Sequence, residues 1–244
     1  MKTTRAFNGI SLPRVDMSDL TGKLIVIEGT DGVGRTSQIK ELKEWLEVNG
    51  HAVMVTGLAR SPLIGSVIKQ AKDGHSLNVN TFSLLYLADF ADCLEHEIIP
   101  ALKAGYIVLA DRYMYTAFAR SIVRGADEEW IRKCYGFALA PEAVFYLKIR
   151  IKELVPRVVN SENLAEGYWI RNTDEVMDYW ESGMDMKLGE DFYGSFVAYQ
   201  KKIIAQFDIM AKEFGFRTID ASKDFKSVQQ KLKEEISLVL GDVN

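Results

Sequence analysis

Cysteine, histidine and proline are all scarce, with two, three and five copies in 244 residues. Two cysteines cannot build a disulfide framework; Cys93 and Cys134 both fall in helical patterns and read as buried thiols of a reducing cytoplasm. His51, His75 and His96 show no metal-ligand spacing, so they read as surface or packing residues. Long apolar runs are missing as well. Nothing approaches the ~20 apolar residues of a membrane span, and residues 1–22 lack the apolar core of a secretory signal, which leaves them as an N-terminal arm or tail. Neither sign of charge is in excess: 30 basic and 34 acidic residues give −4, which disfavours a nucleic-acid polymer or an anionic membrane as partner but allows a local basic cleft.

What remains is an ordinary globular composition, 48% hydrophobic and 26% charged, in a length that suits one α/β domain over residues 23–244. Strand and helix patterns alternate. Leu24–Ile27, Ala52–Thr56, Tyr106–Ala110, Ala143–Leu147 and Phe216–Ile219 are short apolar runs of strand type. Helical spacing runs from about Pro62 to Lys72, from Val79 to Lys103 with Pro100 as a kink or break, and from about Phe225 to Leu240. Such alternation implies right-handed crossovers and a five-stranded parallel sheet covered by helices on both faces. Ligands of these sheets bind beyond the carboxyl ends of the strands, where Glu28, Arg60 and Asp111 fall.

The first strand runs into GTDGVGRT at Gly29–Thr36, followed by Ile39, Leu42 and Leu46 at helical spacing. Strand, glycine turn and helix in this order form a phosphate-binding loop, in which backbone N–H groups and the helix dipole converge on an anion. Gly29, Gly32 and Gly34 allow close backbone approach, and Thr36 stands where the motif places a hydroxyl on Mg²⁺. The motif departs at one position: lysine is replaced by Arg35. A planar guanidinium cannot take the place of a compact ammonium without a shift of loop or phosphate, and losing one such electrostatic donor costs about 3 kcal/mol of transition-state stabilisation.

Three stretches, IEGTDGVGRTSQ at Ile27–Gln38, ARSPLIGSVIK at Ala59–Lys69 and LLYLADFADCLEHEIIPALKAGYIVLADRY at Leu84–Tyr113, resemble the thymidylate kinase family of nucleoside monophosphate kinases. The resemblance runs over most of Lys23–Leu240 and weakens between Arg150 and Glu190. It implies the three-layer P-loop NTPase sandwich and transfer of the γ-phosphoryl group of ATP, with Mg²⁺, to a deoxynucleoside monophosphate, dTMP to dTDP in the usual case. It further implies that the loop Gly29, Thr30, Asp31, Gly32, Val33, Gly34, Arg35, Thr36 and Ser37 cradles ATP, and that Arg35, Asp111 and Arg112 are catalytic. Thr36, Asp111 and Glu28 would attend the metal; Asp31 would hold the sugar 3′-hydroxyl and Arg60 and Arg112 the acceptor phosphate. Tyr86 aligns with the ring that stacks on the base and Thr116 with a hydroxyl beside it, and a homodimer through helices beside the sheet is a further implication. Each role has a plainer alternative: Tyr86 as core packing, Asp111–Arg112 as a surface ion pair, Glu28 as partner of a loop arginine.

Three more departures accompany Arg35. The family's base-reading arginine is Phe90 here, which can pack or stack but not donate. Arg120-Ser121 replaces a tyrosine-glutamine type of pair, so Arg120 either supplies the missing guanidinium at the base pocket or is solvated on a helix. The lid, at about residues 150–190, is long and aromatic-rich, with Arg150, Arg157 and Arg171 as candidates to steady the transferring phosphoryl group. A dTMP kinase, a kinase of the same fold with another nucleotide or nucleoside as acceptor, and a weakly active nucleotide-binding regulatory protein all fit these residues.

Overall fold

The computed structural model describes residues 15–74, 77–159 and 183–241. In chain order the elements are β1 (Lys23–Glu28), α1 (Arg35–Val48), β2 (Val53–Gly57), α2 (Gly65–Gly74), α3 (Val79–Cys93), α4 (Ile99–Lys103), β3 (Ile107–Asp111), α5 (Met114–Val123), α6 (Glu128–Cys134), β4 (Ala143–Lys148), α7 (Ile151–Val159), α8 (Phe192–Glu213), β5 (Arg217–Asp220) and α9 (Phe225–Leu240). The strands form one sheet in the order β2-β3-β1-β4-β5, every neighbouring pair parallel. This is the expected α/β sandwich. Along β1 the side chains alternate between two cores, Leu24 and Val26 on one face, Ile25 and Ile27 on the other, which is why the strand is apolar at consecutive positions. Helices α3, α5 and α8 cover the first face; α1 and α9 cover the second.

Register brings the functional ends together. Asp111 pairs across β3 with Ile27 of β1 on one side and Gly57 of β2 on the other. Glu28, one residue beyond Ile27, and Arg60, three beyond Gly57, therefore emerge at the same rim.

Two helix features go beyond the sequence expectation. Pro100 does not break its helix: α3 and α4 are joined by a five-residue π-helical stretch, Leu94–Ile98. A proline has no N–H to return to the carbonyl four residues back, and a wider turn just before it absorbs that mismatch. Helix α8, 22 residues long, starts from Asp191, whose carboxylate accepts from the Gly194 N–H. Asn78, Asp127 and Asp224 cap α3, α6 and α9 in the same way. Helices α1 and α5, which open onto the rim, have no side-chain cap from their own N-cap residue.

Candidate active site

The rim is organised around Asp111. Arg35, the first residue of α1, turns its guanidinium inward: Nε donates to Asp111 Oδ1 at 2.9 Å, and Nη1 donates to the carbonyls of Gly29 and Thr30 at 2.5 and 2.6 Å. The other oxygen of Asp111 accepts from Thr36 Oγ1 at 3.1 Å and from Arg60 Nη2 at 3.3 Å. Burial works to raise the Asp111 carboxyl, but the guanidiniums of Arg35, Arg112 and Arg60 outweigh it and hold the group below the usual carboxylate value. One carboxylate thus gathers both sides of the rim.

The loop itself is shaped to receive an anion. Gly34 precedes α1 at φ 99°, and a Cβ placed there would meet nothing within 4 Å, so the space before the uncapped helix is open. At Gly29, φ 152°, a Cβ would lie 3.0 Å from the Leu147 carbonyl, which explains why the strand leaves the sheet through a glycine. A cleft of about 260 Å³ lies before the helix, bordered by Gly32, Gly34, Ser37, Arg157, Lys223 and Phe225. Val33 packs into the core behind the loop, and the Thr30 hydroxyl is buried with no partner among the described residues. Thr36 and Asp111 offer the hard oxygen donors that Mg²⁺ takes together with phosphates and water.

A second set of charges faces the first. Asp31 binds Arg112 through one oxygen and Arg120 through the other, the latter at 3.4 Å. Arg112 adopts φ 72°, a left-handed conformation that a non-glycine residue holds at a cost of about 1–3 kcal/mol. Arg120 also lines a narrow crevice with Leu58, Phe82, Tyr86 and Ser121, where Tyr86 leans on Phe82 at a ring separation of 5.4 Å.

Several candidates occupy other surroundings. Glu28 is wholly buried and gives its carboxylate to α5: Oε1 accepts from the N–H groups of Tyr113 and Thr116 at 2.9 and 3.3 Å, Oε2 from the Thr116 hydroxyl at 2.6 Å. It supplies, from β1, the cap that α5 lacks. Burial raises the Glu28 carboxyl despite these bonds and the nearby Arg35 and Arg112. Phe90 sits in the core against Tyr113, Tyr135 and Phe137, with centroids 4.9, 5.0 and 6.0 Å away. It lies one helical turn beyond Tyr86 on α3, past the crevice, so the structure does not bring Phe90 and Arg120 to one pocket. Arg157 reaches the cleft, its guanidinium 3.4 Å from the Lys223 carbonyl. Arg150 is exposed and paired with Glu153, and Arg171 lies outside the described residues.

Sequence reasoning passed over Asp89 and Tyr199. Asp89 is fully buried on α3 and bonds the backbone beside Arg60; an acid on the apolar face of a helix was the available signal. Tyr199 of α8 lines the rim with Asp31, Arg112 and Arg120. No signal for it exists in the motifs, because α8 is brought there only by the fold.

A parallel sheet with a phosphate-binding loop, an aspartate at the end of the adjoining strand and arginines gathered on both sides of it defines the chain as a P-loop kinase of the nucleoside monophosphate class. Comparison with known proteins sharpens the class. The thymidylate kinase family model matches residues 27–174. The chain is 36% identical over 217 residues to the probable thymidylate kinase 2 of Saccharolobus solfataricus, covering 88% of this chain and 95% of that one. It is 33% identical to the probable thymidylate kinase of Pyrococcus abyssi over 60% of this chain and 75% of the other. To the thymidylate kinase of Brachyspira hyodysenteriae it is 27% identical, with 89% and 94% covered. The chain belongs to the thymidylate kinase family.

Proposed function

We propose that the protein transfers the γ-phosphoryl group of ATP to the 5′-phosphate of dTMP, with Mg²⁺. The observation that carries this is the sharing of Asp111 between the donor loop, through Arg35 and Thr36, and the acceptor loop, through Arg60. Phosphoryl transfer requires two polyanions to be held in line while the charge on the moving group is neutralised. Loop N–H groups at the start of α1 take the ATP phosphates in the 260 Å³ cleft, and Arg157 closes on them from α7. Thr36 and Asp111 would hold Mg²⁺, which screens the phosphate charge when bound.

On the acceptor side, Arg60 and Arg112 present planar forks suited to a phosphate. Asp31 takes the sugar 3′-hydroxyl, and the crevice between Tyr86 and Arg120, about 10 Å³ as it stands, widens to admit the base, where Arg120 supplies hydrogen-bond donors to a pyrimidine carbonyl. Glu28 serves the metal only indirectly, by fixing the start of α5 and so the position of Arg112. No helix among the described residues is long and apolar enough to cross a membrane. A homodimer through the α2–α3 side is supported by the exposed Leu63, Val67 and Leu84 there, and sedimentation equilibrium tests it.

ADP release with Mg²⁺, ATP and a panel of nucleosides and nucleoside monophosphates tests the activity. The expected result is turnover with dTMP above the other monophosphates and none with nucleosides. Preference for a different acceptor, or nucleotide binding with no ADP release, would sink the proposal.

A further inference from the structure

We infer that Asp89 is a positioning residue for Arg60, and through Arg60 for the acceptor phosphate; the inference rests on the kinase reading above. Arg60 lies in the loop between β2 and α2, with 43% of its side chain exposed and, among the described residues, a carboxylate contact to Asp111 at 3.3 Å. An exposed arginine on a loop has many rotamers, so something must fix the backbone that carries it. Asp89 reaches that backbone from α3. Its Oδ2 accepts from the Ala59 N–H at 2.7 Å and its Oδ1 from the Ser61 N–H at 2.8 Å, one oxygen for the residue on each side of Arg60.

Two local features show what this clamp holds. Ala59 is left-handed at φ 59°, a conformation that an alanine does not keep in a free loop. Gly57 leaves room both for β3 and for the arginine: a Cβ there would lie 2.5 Å from the Asp111 carbonyl, 3.2 Å from Arg60 Nε and 3.3 Å from its Cζ. With the loop pinned by Asp89 and room left at Gly57, the Arg60 guanidinium is directed to the rim. Ser61 adds a second tie, its hydroxyl donating to Asp92 at 2.6 Å.

The clamp also links two parts of the acceptor site. Tyr86 and Asp89 stand three residues apart on α3, one at the base crevice and the other holding the phosphate arginine. The helix therefore sets the span between base and phosphate. Asp89 itself touches no substrate in this scheme; its charge is spent on two peptide N–H groups, charge-assisted bonds of the stronger class.

Kinetics with dTMP and ATP on Asp89→Ala, Asp89→Asn, Arg60→Ala and the double variant Asp89→Ala/Arg60→Ala test the inference, with amide exchange at Ala59 and Ser61 as a second readout. Asp89→Ala is expected to raise the KM for dTMP about tenfold or more and to speed exchange at both amides by a similar factor. The KM for ATP should stay within about twofold of wild type. Asp89→Asn, which keeps one acceptor oxygen, should fall between the two. The double variant should be no worse than Arg60→Ala within about twofold, because both changes remove one interaction. Multiplying effects in the double variant would overturn the inference, as would equal losses toward both substrates. If Asp89→Ala does not fold, Asp89→Asn decides: wild-type exchange at Ala59 and Ser61 overturns the clamp. A wild-type protein that turns over no monophosphate defeats the kinase reading separately, while the exchange measurement still decides whether Asp89 holds the loop.

Discussion

Arg35 of the donor loop and Arg60 of the acceptor loop both contact Asp111, and their surroundings differ sharply. Arg35 is 8% exposed and makes three short bonds within the protein, two of them to carbonyls of its own loop. Arg60 is 43% exposed and meets Asp111 at 3.3 Å. A guanidinium with three of its five donors already engaged indoors is a strut; one that is half in solvent is available to a ligand. The exchange of lysine for arginine in the phosphate loop is accommodated in this way. The planar fork bridges the loop carbonyls and the strand-end carboxylate, a set of acceptors that an ammonium could not span at once.

The largest effect should come from the residue that both halves share. Asp111→Asn removes the charge that Arg35, Thr36 and Arg60 all use. A fall in kcat/KM of about 10²–10³ is expected for both dTMP and ATP, on the scale of losing one preorganised electrostatic group. Steady-state kinetics against each substrate in turn would check it. A loss confined to one substrate would show that the halves are not joined at Asp111.

Arg35→Lys tests the strut directly and should have a moderate effect. Lysine keeps the charge but not the fork, so at least one of the bonds to the Gly29 and Thr30 carbonyls is lost. A loss of about 1–2 kcal/mol is expected in the unliganded protein, or about 2–4 °C in Tm for each kcal/mol at this chain length. The KM for Mg²⁺-ATP should stay within about twofold of wild type, since a strut makes no bond to the nucleotide. An unchanged Tm with a raised KM for ATP would reverse the comparison and make Arg35 a ligand-holding residue. Thermal melts with and without nucleotide distinguish the two.

The same contrast marks what the sequence could convey. Strands β1 to β5, the loop and α9 were legible because they rest on local periodicity and glycine placement. Positions at strand ends were legible too, since the fold rule sends them to one rim. The partners of Glu28 and Asp89 were not. Glu28 caps a helix 85 residues away, and Asp89 clamps a loop 28 and 30 residues away; both pairings exist only after the chain has folded. Phe90 was placed by alignment with a base-reading arginine, but one turn of α3 separates crevice from core. Pro100 read as a kink or break because a π turn has no sequence pattern of its own.

The smallest expected effect concerns the two acids at the rim, Asp111 and Glu28, which should respond to pH in opposite senses. Asp111 is held below its ordinary value of about 3.8. A carboxyl lowered by folding contributes stability above the unfolded pKa and loses it as pH falls through the lower native value. Glu28 is raised by burial above its ordinary value of about 4.5. Between that value and the higher native one, the folded state binds more protons than the unfolded chain, so the contribution of Glu28 declines as pH rises through the window. Glu28→Gln removes the titration and keeps a carbonyl oxygen to accept from α5. Its Tm should therefore vary less than wild type as pH rises from about 4.5 toward neutrality, while Asp111→Asn should lose less Tm than wild type as pH falls below about 3.8. Melts across both ranges separate the acids. If the Glu28→Gln curve runs parallel to wild type above pH 4.5, burial does not dominate that carboxyl, and the N–H groups of α5 hold a charge as firmly as the arginines hold Asp111.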